Sequence, residues 1–346
     1  MDPTREQDVT ITISESGWLS TFQDLGREDS EYLGVPCGGA ADQLSAATAN
    51  ILVGNRRGAP LMEIMGGRFA FTASRDVFIS VTGTPADVIV GGVPVGMWQP
   101  VCVPAKTRVL ITNARDGMRN YLAFSGELDA PRFMGSVAPE SRMGFPQQLA
   151  AGHKVGLDSR YQGFSQPYLG QPLFRLPVPV PDFSANVWTI DVVGGPETAG
   201  TPGIRELLSG SVYTVGPKSN HVGLRLNGPV IHPEGLGEII SHGVPIGAFE
   251  IPHGDELIIL GRSRTLTAGY PIVAVAAKAS LPLLGQARPG RKMTFRWLSN
   301  EAAVERWREQ QRLLTALEDR VQSLFAAVGL PLHEAPGSSP PDIRAA

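Results

Sequence analysis

Short segments with a β-strand pattern follow one another through most of the 346-residue chain, and turn residues separate them. Residues Val9 to Ser14 alternate between polar and apolar types, and Val77 to Gly83 is rich in β-branched and aromatic residues. Turns this frequent need Gly and Pro, and the chain has 40 Gly and 29 Pro. Strands spaced by about 8–12 residues are typical of barrels and sandwiches. The sequence therefore predicts a mainly β protein, with a tight hairpin at Gly91-Gly92.

The strand pattern fades between two β-rich halves, which predicts two domains joined by a Pro-rich, extended linker. The second half repeats the arrangement of strands plus a short helical turn, here around Ile204 to Leu208. We predict an N-terminal β-barrel domain at 1–166, the linker at 167–181, a C-terminal β-barrel domain at 182–298, an amphipathic helix at 299–329 and a disordered tail at 330–346.

Two stretches have the pattern of longer helices. Asp42 is a preferred N-cap residue and precedes a helix predicted over Gln43 to Val53, with Gly54 at its C-terminal end. The helix at 299–329 has apolar residues close to heptad spacing, namely Val304, Trp307, Leu314, Leu317, Val321, Leu324 and Val328. Such a stripe either docks on its own chain or contacts another protein chain, and the sequence leaves both interpretations open.

Composition excludes several classes of function. The chain is 42% hydrophobic and 18% charged, with a net charge of −3 and no basic cluster, so we expect no nucleic-acid partner. No apolar run approaches the length of a membrane span, and the first ten residues lack the apolar region of a signal peptide. Cys37 and Cys102 alone provide no disulfide framework. We therefore expect a cytoplasmic protein without membrane contact.

Polar groups suited to chemistry are concentrated between Gly17 and Glu63, among Gly and Pro turns. Gln23, Asp24 and Arg27 follow one another closely, and Arg27 offers two-pronged recognition of a carboxylate. One interpretation is a polar cluster that binds an amide or carboxylate. The other is that Asp24 and Arg27 form a structural pair and that Asp42 is only a helix cap.

Four motifs in this region resemble the family of 5-oxoprolinase C-type subunits, also called allophanate hydrolase subunit 2 or the biotin-dependent carboxyltransferase-like family. They are the runs Gln23–Arg27, Gly34–Asp42, Ala49–Asn55 and Met62–Ile64. In the second half the resemblance continues through Gly195-Pro196, Gly223, Arg225, Ser241, Gly243, Thr265, Tyr270, Gln286, Pro289 and Gly290. It covers roughly residues 8 to 298.

The resemblance implies two cyclophilin-like β-barrel domains and a subunit of a heteromeric, ATP-dependent amidohydrolase that opens a lactam or cleaves a small cyclic amide. It also implies a partner homologous to the B-type subunit of 5-oxoprolinase, often a further partner homologous to the A-type subunit, and ATP as cofactor. Transferred to matching positions, the predicted catalytic residues are Gln23, Asp24, Arg27 and Asp42, and the predicted substrate-binding residues are Arg225, Ser241, Thr265 and Tyr270.

Two other functions stay open. One is a component of a biotin-dependent carboxyltransferase acting on urea or a related amide, with biotin on another protein because this chain has no Met-Lys-Met attachment motif. The other is a non-catalytic binding or regulatory subunit. It is favoured by three departures from the family pattern: Val137 replaces Arg, Gly261 replaces Asp, and Asp191 replaces Arg with a charge inversion. Two further departures are His221 in place of Arg and Glu250 in place of Gln.

Metal and nucleotide motifs are absent from the sequence. The scattered residues His153, His221, His232, His242 and His253 lack close metal-ligand spacing, so we predict no metal site. The run Gly216 to Ser219 lacks the upstream glycine of a P-loop. Cys37 has no neighbouring base in the sequence, which argues against a nucleophile.

Overall fold

A computed structural model describes residues 9–146, 148–159, 161, 175–231, 239–252, 256–329 and 332. Strands dominate it, and its described residues form four α-helices. The predicted fold class, mainly β with a few short helices and a C-terminal helix, is confirmed. The predicted tail lies outside the described residues except for Leu332, and the domain boundaries and the cyclophilin-like assignment stay predictions.

The N-terminal half pairs its strands into two sheets that share one core. Its strands are β1 (Val9–Ser16), β2 (Leu19–Gln23), β3 (Leu61–Met65), β4 (Phe69–Ala73), β5 (Val77–Gly83), β6 (Asp87–Val90), β7 (Val93–Val95), β8 (Pro100–Val103), β9 (Val109–Thr112), β10 (Arg119–Phe124), β11 (Glu127–Leu128), β12 (Gln148–Leu149) and β13 (Lys154–Asp158). The seven-stranded sheet has the order β11-β13-β1-β4-β9-β6-β7, and the six-stranded sheet has the order β12-β2-β3-β10-β5-β8. Ile11, Phe71, Ile79 and Leu122 are fully buried between them. This burial of alternate residues on facing sheets is the reason for the period-two pattern.

The second half forms a closed barrel in the order β14-β21-β18-β19-β16-β15-β22. Its strands are β14 (Val187–Gly194), β15 (Tyr213–Val215), β16 (Gly223–Asn227), β18 (Ala248–Glu250), β19 (Leu257–Leu260), β21 (Ile272–Ala276) and β22 (Lys292–Trp297). A separate two-stranded sheet consists of β17 (His242–Gly243) and β20 (Thr267–Ala268). The first strand runs parallel to the last, with Val187 opposite Lys292, and this pairing closes the barrel. We call this half the C-terminal barrel.

Of the four α-helices among the described residues, the first, second and fourth lie where the sequence predicts them, whereas the third was not predicted. They are α1 (Gln43–Leu52), α2 (Ile204–Gly210), α3 (Leu281–Gln286) and α4 (Asn300–Val328), with 3₁₀ turns at Glu31–Leu33, Ser141–Met143 and Lys278–Ser280. The Asp42 carboxylate accepts the Ser45 N–H, which confirms the predicted cap of α1. Gly54 follows this helix with φ of 77°, a conformation that favours glycine.

Helix α4 docks on its own chain. Leu314, Leu317, Val321 and Phe325 are buried against α1 and the outer face of β5 and β10. The predicted heptad stripe is therefore confirmed at three positions, whereas Val304 and Val328 are exposed and Phe325 takes the last buried place. The straight 3.6-residue repeat of an α-helix explains this drift away from a strict heptad.

The described end of the predicted linker, 175–181, has no helix or strand. It is not detached, because Leu176 and Val178 pack against the same apolar cluster as α4. Several strands were not predicted from the sequence, among them β2, β8, β13 and β21. Strand β21 reads Ile272–Ala276, follows a Pro directly and lies between β14 and β18.

Candidate functional site

A cavity of about 630 Å³ lies between the N-terminal half and the C-terminal barrel. Both halves contribute to its wall, Gln23, Glu63 and Arg119 from the first, and Leu260 and Gly285 from the second. A volume of this size suits a small organic ligand, and sites of this kind favour the junction between two domains. This cavity is the candidate functional site.

Gln23 brings an unsatisfied amide to the cavity wall. It is the last residue of β2, is 8% exposed, and its Nε2 donates to Thr21 Oγ1 at 3.2 Å. Its Oε1 is buried and has no hydrogen-bond partner among the described residues. A buried acceptor without a donor costs about 1–3 kcal/mol. Of the four predicted catalytic residues, Gln23 alone lines the cavity.

A charge pair forms the adjoining wall. Glu63 on β3 accepts the Arg119 Nε–H at 3.2 Å, and both residues line the cavity. The other carboxylate oxygen of Glu63 accepts the Ala41 N–H at 3.0 Å and the Tyr121 hydroxyl at 2.8 Å. Burial, followed by the Glu63 charge, raises the pKa of Tyr121, so its hydroxyl stays protonated and donates. Both oxygens of Glu63 are thus hydrogen-bonded, while Arg119 supplies positive charge to the cavity.

The loop at 34–39 meets the C-terminal barrel through Arg262. The guanidinium of Arg262 donates to the carbonyl oxygens of Gly38 and Leu25, and its own carbonyl accepts the Gly38 N–H at 3.4 Å. Burial lowers the pKa of Arg262. Cys37 Sγ lies 3.6 Å from this guanidinium, which is a cation and not a base. The loop is therefore held in place by the barrel, and both Arg262 and Gly38 line the cavity.

Asp24 and Arg27 lie behind the cavity wall and hold the segment 133–138. The Asp24 carboxylate accepts the hydroxyl of Ser136 at 2.6 Å and the N–H of Val137 at 2.9 Å. Arg27 is 2% exposed and donates to the carbonyl oxygens of Phe133 and Ala138. No ion pair joins Asp24 to Arg27 among the described residues. Both instead tie the loop after β2 to the same distant segment, and their catalytic role stays a prediction.

Asp42 is fully buried between the two halves. Besides capping α1, its carboxylate accepts the Gln286 Nε2–H from the C-terminal barrel at 2.9 Å. Burial raises the pKa of Asp42, with hydrogen bonds from Gln286 and Ser45 opposing the shift. Asp42 does not line the cavity, so its predicted catalytic role also stays a prediction.

The four predicted substrate-binding residues lie apart from the cavity wall. Arg225 on β16 forms an ion pair with Glu256. Ser241 and Thr265 are exposed, and Tyr270 is half-buried near the small β17–β20 sheet. The structure does not bring them together with Gln23, and a substrate contact from them stays a prediction.

The family departures fall into two groups. Asp191 is 4% exposed and pairs with Arg296 at 2.7 Å and with Arg306 of α4 at 2.8 Å, away from the cavity. Val137 is fully buried in the core of the N-terminal half. In contrast, His221 and Gly261 line the cavity. The charge inversion at Asp191 therefore serves the attachment of α4 and does not change the charge of the cavity.

Several cavity residues were missed as candidates from the sequence. Arg119 begins a strand and Arg262 lies in a turn, so neither position carries a local signal for ligand binding. Glu140, which precedes the 3₁₀ turn at 141–143, also lines the cavity. Gln286 belongs to a family motif, but only the fold shows that it reaches Asp42.

For the described histidines and helices, the relevant requirements are those of a metal site and of a membrane span. In the part of the chain that the structure describes, no group of three or more His, Cys, Asp or Glu residues is arranged to hold a metal ion. His232 and His253 lie outside the described residues. Among the described helices, none is long and apolar enough to span a bilayer.

The fold is mainly β, with a cavity between its two halves. Residues 33–297 match the family model described as carboxyltransferase domain, subdomain A and B. The match spans well over half of the chain, so the chain belongs to this family.

Curated relatives carry two kinds of name. The C subunit of 5-oxoprolinase from Escherichia coli (strain K12) is 26% identical over 323 residues, which cover 90% of this chain and 99% of the relative. The urea amidolyase of Lachancea kluyveri is 28% identical over 94% of this chain, but this chain spans only 19% of that protein. Among solved structures, the K. lactis urea amidolyase superposes with a TM-score of 0.79 at 25% identity, over 89% of this chain and 20% of that one.

Proposed function

We propose that this chain is a subunit of a heteromeric, ATP-dependent amidohydrolase of the 5-oxoprolinase type, and that its cavity binds a small lactam or cyclic amide. The observation that carries the proposal is the unpartnered Gln23 Oε1 on the same cavity wall as the Arg119–Glu63 pair. The similarity to the C subunit of a 5-oxoprolinase along nearly its whole length supports the same class.

An amide has one hydrogen-bonding group for Gln23 and one for Arg119. Its N–H is a donor for Gln23 Oε1, and its carbonyl oxygen is an acceptor for a guanidinium such as Arg119. During ring opening water adds to the carbonyl carbon and loses a proton, the C–N bond breaks, and the ring nitrogen takes up a proton and leaves as the amine. Negative charge develops at the oxygen of the attacked carbonyl, or on its phosphoryl group where that oxygen is phosphorylated. A cation held in place by Glu63 stabilises that charge without having to reorganise.

ATP belongs to the complex in this proposal, where it would supply a phosphoryl group to the lactam oxygen, and this group would be released as inorganic phosphate when water opens the ring. The Gly38-Gly39 turn on the cavity wall does not fit a phosphate cradle, because the Gly38 N–H already donates to the Arg262 carbonyl oxygen. The cavity cations Arg119, Arg142 and Arg262 are the groups of this chain that fit an anionic oxygen. The proposed partners are homologues of the B-type and A-type subunits of 5-oxoprolinase, because the relative is named as one lettered subunit of that enzyme.

The second candidate is a carboxyltransferase component that acts on urea or a related amide, with biotin carried by another protein. The name of the family and the superposition on the K. lactis urea amidolyase favour it. The same two groups serve here, because urea also offers N–H donors to Gln23 and a carbonyl oxygen to Arg119. The two candidates therefore differ in substrate and in partner proteins, not in the wall of the cavity.

The test is phosphate release by the chain co-purified with its B-type and A-type partners, with 5-oxoproline, urea or no amide. We expect 5-oxoproline to stimulate ATP hydrolysis and to be opened to a product with a free amine and carboxylate. Stimulation by urea alone, dependent on a biotin carrier, would favour the second candidate. A stable complex that responds to no amide would overturn both.

The Gln23→Leu variant tests the proposed contact. We expect amide-stimulated turnover to fall roughly tenfold or more, because the amide N–H loses its acceptor. Gln99→Leu is the matched control, since Gln99 is equally buried at 8% and lies away from the cavity. Equal activity of the two variants would remove Gln23 from the site.

A further inference from the structure

The side chain of Gln286, at the end of α3, crosses from the C-terminal barrel into the N-terminal half. It is completely buried, and its Oε1 accepts the main-chain N–H of Arg119 at 2.9 Å and that of Met118 at 3.3 Å. Its Nε2 donates to the Asp42 carboxylate at 2.9 Å. One amide therefore satisfies three groups of the other half, all of them close to the cavity.

The residue before it continues the same contact. The carbonyl oxygen of Gly285 accepts the Arg119 Nη1–H. A Cβ at Gly285 would lie 2.3 Å from the Ala41 carbonyl oxygen, so only glycine lets the two backbones come this close. At this place the two halves touch through their main chains, so α3 has little freedom to shift relative to the N-terminal half.

Arg119 is thereby held from three directions. Its main chain is bound by Gln286, its Nη1 by Gly285 and its Nε by Glu63 on β3. Two of these three contacts come from the C-terminal barrel, although Arg119 belongs to the N-terminal half. The position of this cation in the cavity thus depends on how α3 is seated.

We infer that Gln286 is a positioning residue that sets the Arg119 guanidinium for the amide in the cavity, by joining Met118, Arg119 and Asp42 across the two halves. The inference rests on the proposed function for the identity of the ligand. Gln286 itself does not line the cavity, so it acts through Arg119. Its amide is suited to this task, because it accepts from two main-chain N–H groups while donating to a carboxylate.

Two substitutions of Gln286 separate the effect of its hydrogen bonds from the effect of its side-chain volume. Gln286→Met keeps the approximate volume and removes all three hydrogen bonds. Gln286→Glu keeps the shape, but its ionised form repels Asp42, whereas its protonated form donates to Asp42 and still accepts from Arg119. The titratable groups that face this position are Asp42 before α1, Glu63 on β3, and Arg119 and Tyr121 on β10. Gln310→Met on α4 is the control, because Gln310 also bonds to the barrel, at Ala279, away from the cavity.

The experiment uses the complex with its partner proteins, with folding checked by near-ultraviolet circular dichroism. The dissociation constant of 5-oxoproline is measured by calorimetry between pH 5 and 8, and hydrogen exchange of residues 117–121 is measured without ligand. We expect Gln286→Met to weaken binding about tenfold at every pH, the effect of one hydrogen bond. We expect Gln286→Glu to bind weakly at pH 8 and to recover towards wild type at pH 5. Gln310→Met should match wild type.

Each failure has a separate signature. If wild type binds no amide, the proposed function fails, and the exchange measurement still tests the contact: unchanged exchange at residues 117–121 in Gln286→Met overturns it. Faster exchange with an unchanged dissociation constant would show a structural tie and overturn positioning. A dissociation constant for Gln286→Glu that does not change with pH would also contradict the inference.

Discussion

At the scale of single residues, the polar groups near the cavity divide into those that hold loops behind its wall and those that line it. The Asp24 carboxylate and the Nε and Nη2 of Arg27 have hydrogen-bond partners in 133–138, while Gln23 Oε1 and Arg27 Nη1 have none among the described residues. Sequence reasoning placed all of these residues in one stretch and predicted the Asp42 cap. It did not separate the two roles, because which atoms find partners depends on segments more than a hundred residues away in the chain.

Glu250 on β18 carries a prediction at this scale. It stands where the resembled family has Gln, is 6% exposed, and its Oε1 has no partner among the described residues. Burial raises the pKa of Glu250, and the charge of His242 opposes the shift. A raised carboxyl pKa stabilises the folded protein below the ordinary pKa of Glu, and this contribution is lost as the pH rises through the folded value.

The Glu250→Gln variant should therefore be more stable than wild type at pH 8 by about 1 kcal/mol, the size of one relieved buried polar atom. The difference should shrink as the pH falls towards the ordinary range for Glu. Urea unfolding between pH 4 and pH 8 measures both values. A difference that stays constant or grows at low pH would contradict the burial argument.

At the scale of elements, the sequence predicted what local patterns determine. Helix α1, the Gly91-Gly92 hairpin and most strands of both halves lie where alternation, caps and turns place them. Strand β21 was not predicted, because Ile272–Ala276 is a short apolar run without alternation. Such a run becomes a strand because it pairs with neighbouring strands on both sides. The apolar stripe of α4 was predicted, but the surface that it covers could not be predicted, because that surface is formed by segments distant in the chain.

Phe325 is the residue that shows what holds the end of α4. It is fully buried, packs 5.9 Å from the Phe78 ring, and lies so close to Gly54 that a Cβ there would be 2.4 Å from its ring. Phe325→Ala should lower the free energy of unfolding by about 3 kcal/mol through lost burial and the cavity left behind. Val328→Ala on the same helix should change it little, because Val328 is 51% exposed. Thermal or urea unfolding compares the two, and equal effects would mean that this end of α4 is not docked.

At the scale of the whole molecule, α4 connects the two halves. Its first turns attach to the C-terminal barrel through Arg306 and Asp191, and its later turns pack on α1 of the N-terminal half. Helix α4 and the Gln286 contact therefore both hold the two halves in their arrangement around the cavity. Sequence reasoning did not reach this arrangement, because ion pairs and apolar contacts between distant segments decide it.

Asp191→Arg, which restores the residue of the resembled family, tests the contribution of α4 to this arrangement. The new charge would face Arg296 and Arg306 in place of the buried carboxylate that now pairs with both, so the start of α4 should detach. We expect faster hydrogen exchange over residues 300–310 and a loss of about 2 kcal/mol of stability, while residues 314–325 stay protected by their apolar contacts. Arg312→Ala is the control, since Arg312 pairs only with Glu305 and Glu309 of its own helix among the described residues. If Asp191→Arg exchanged no faster than Arg312→Ala, the ion pairs would not hold α4 to the barrel, and its first turns would be held by other contacts such as the Gln310–Ala279 hydrogen bond.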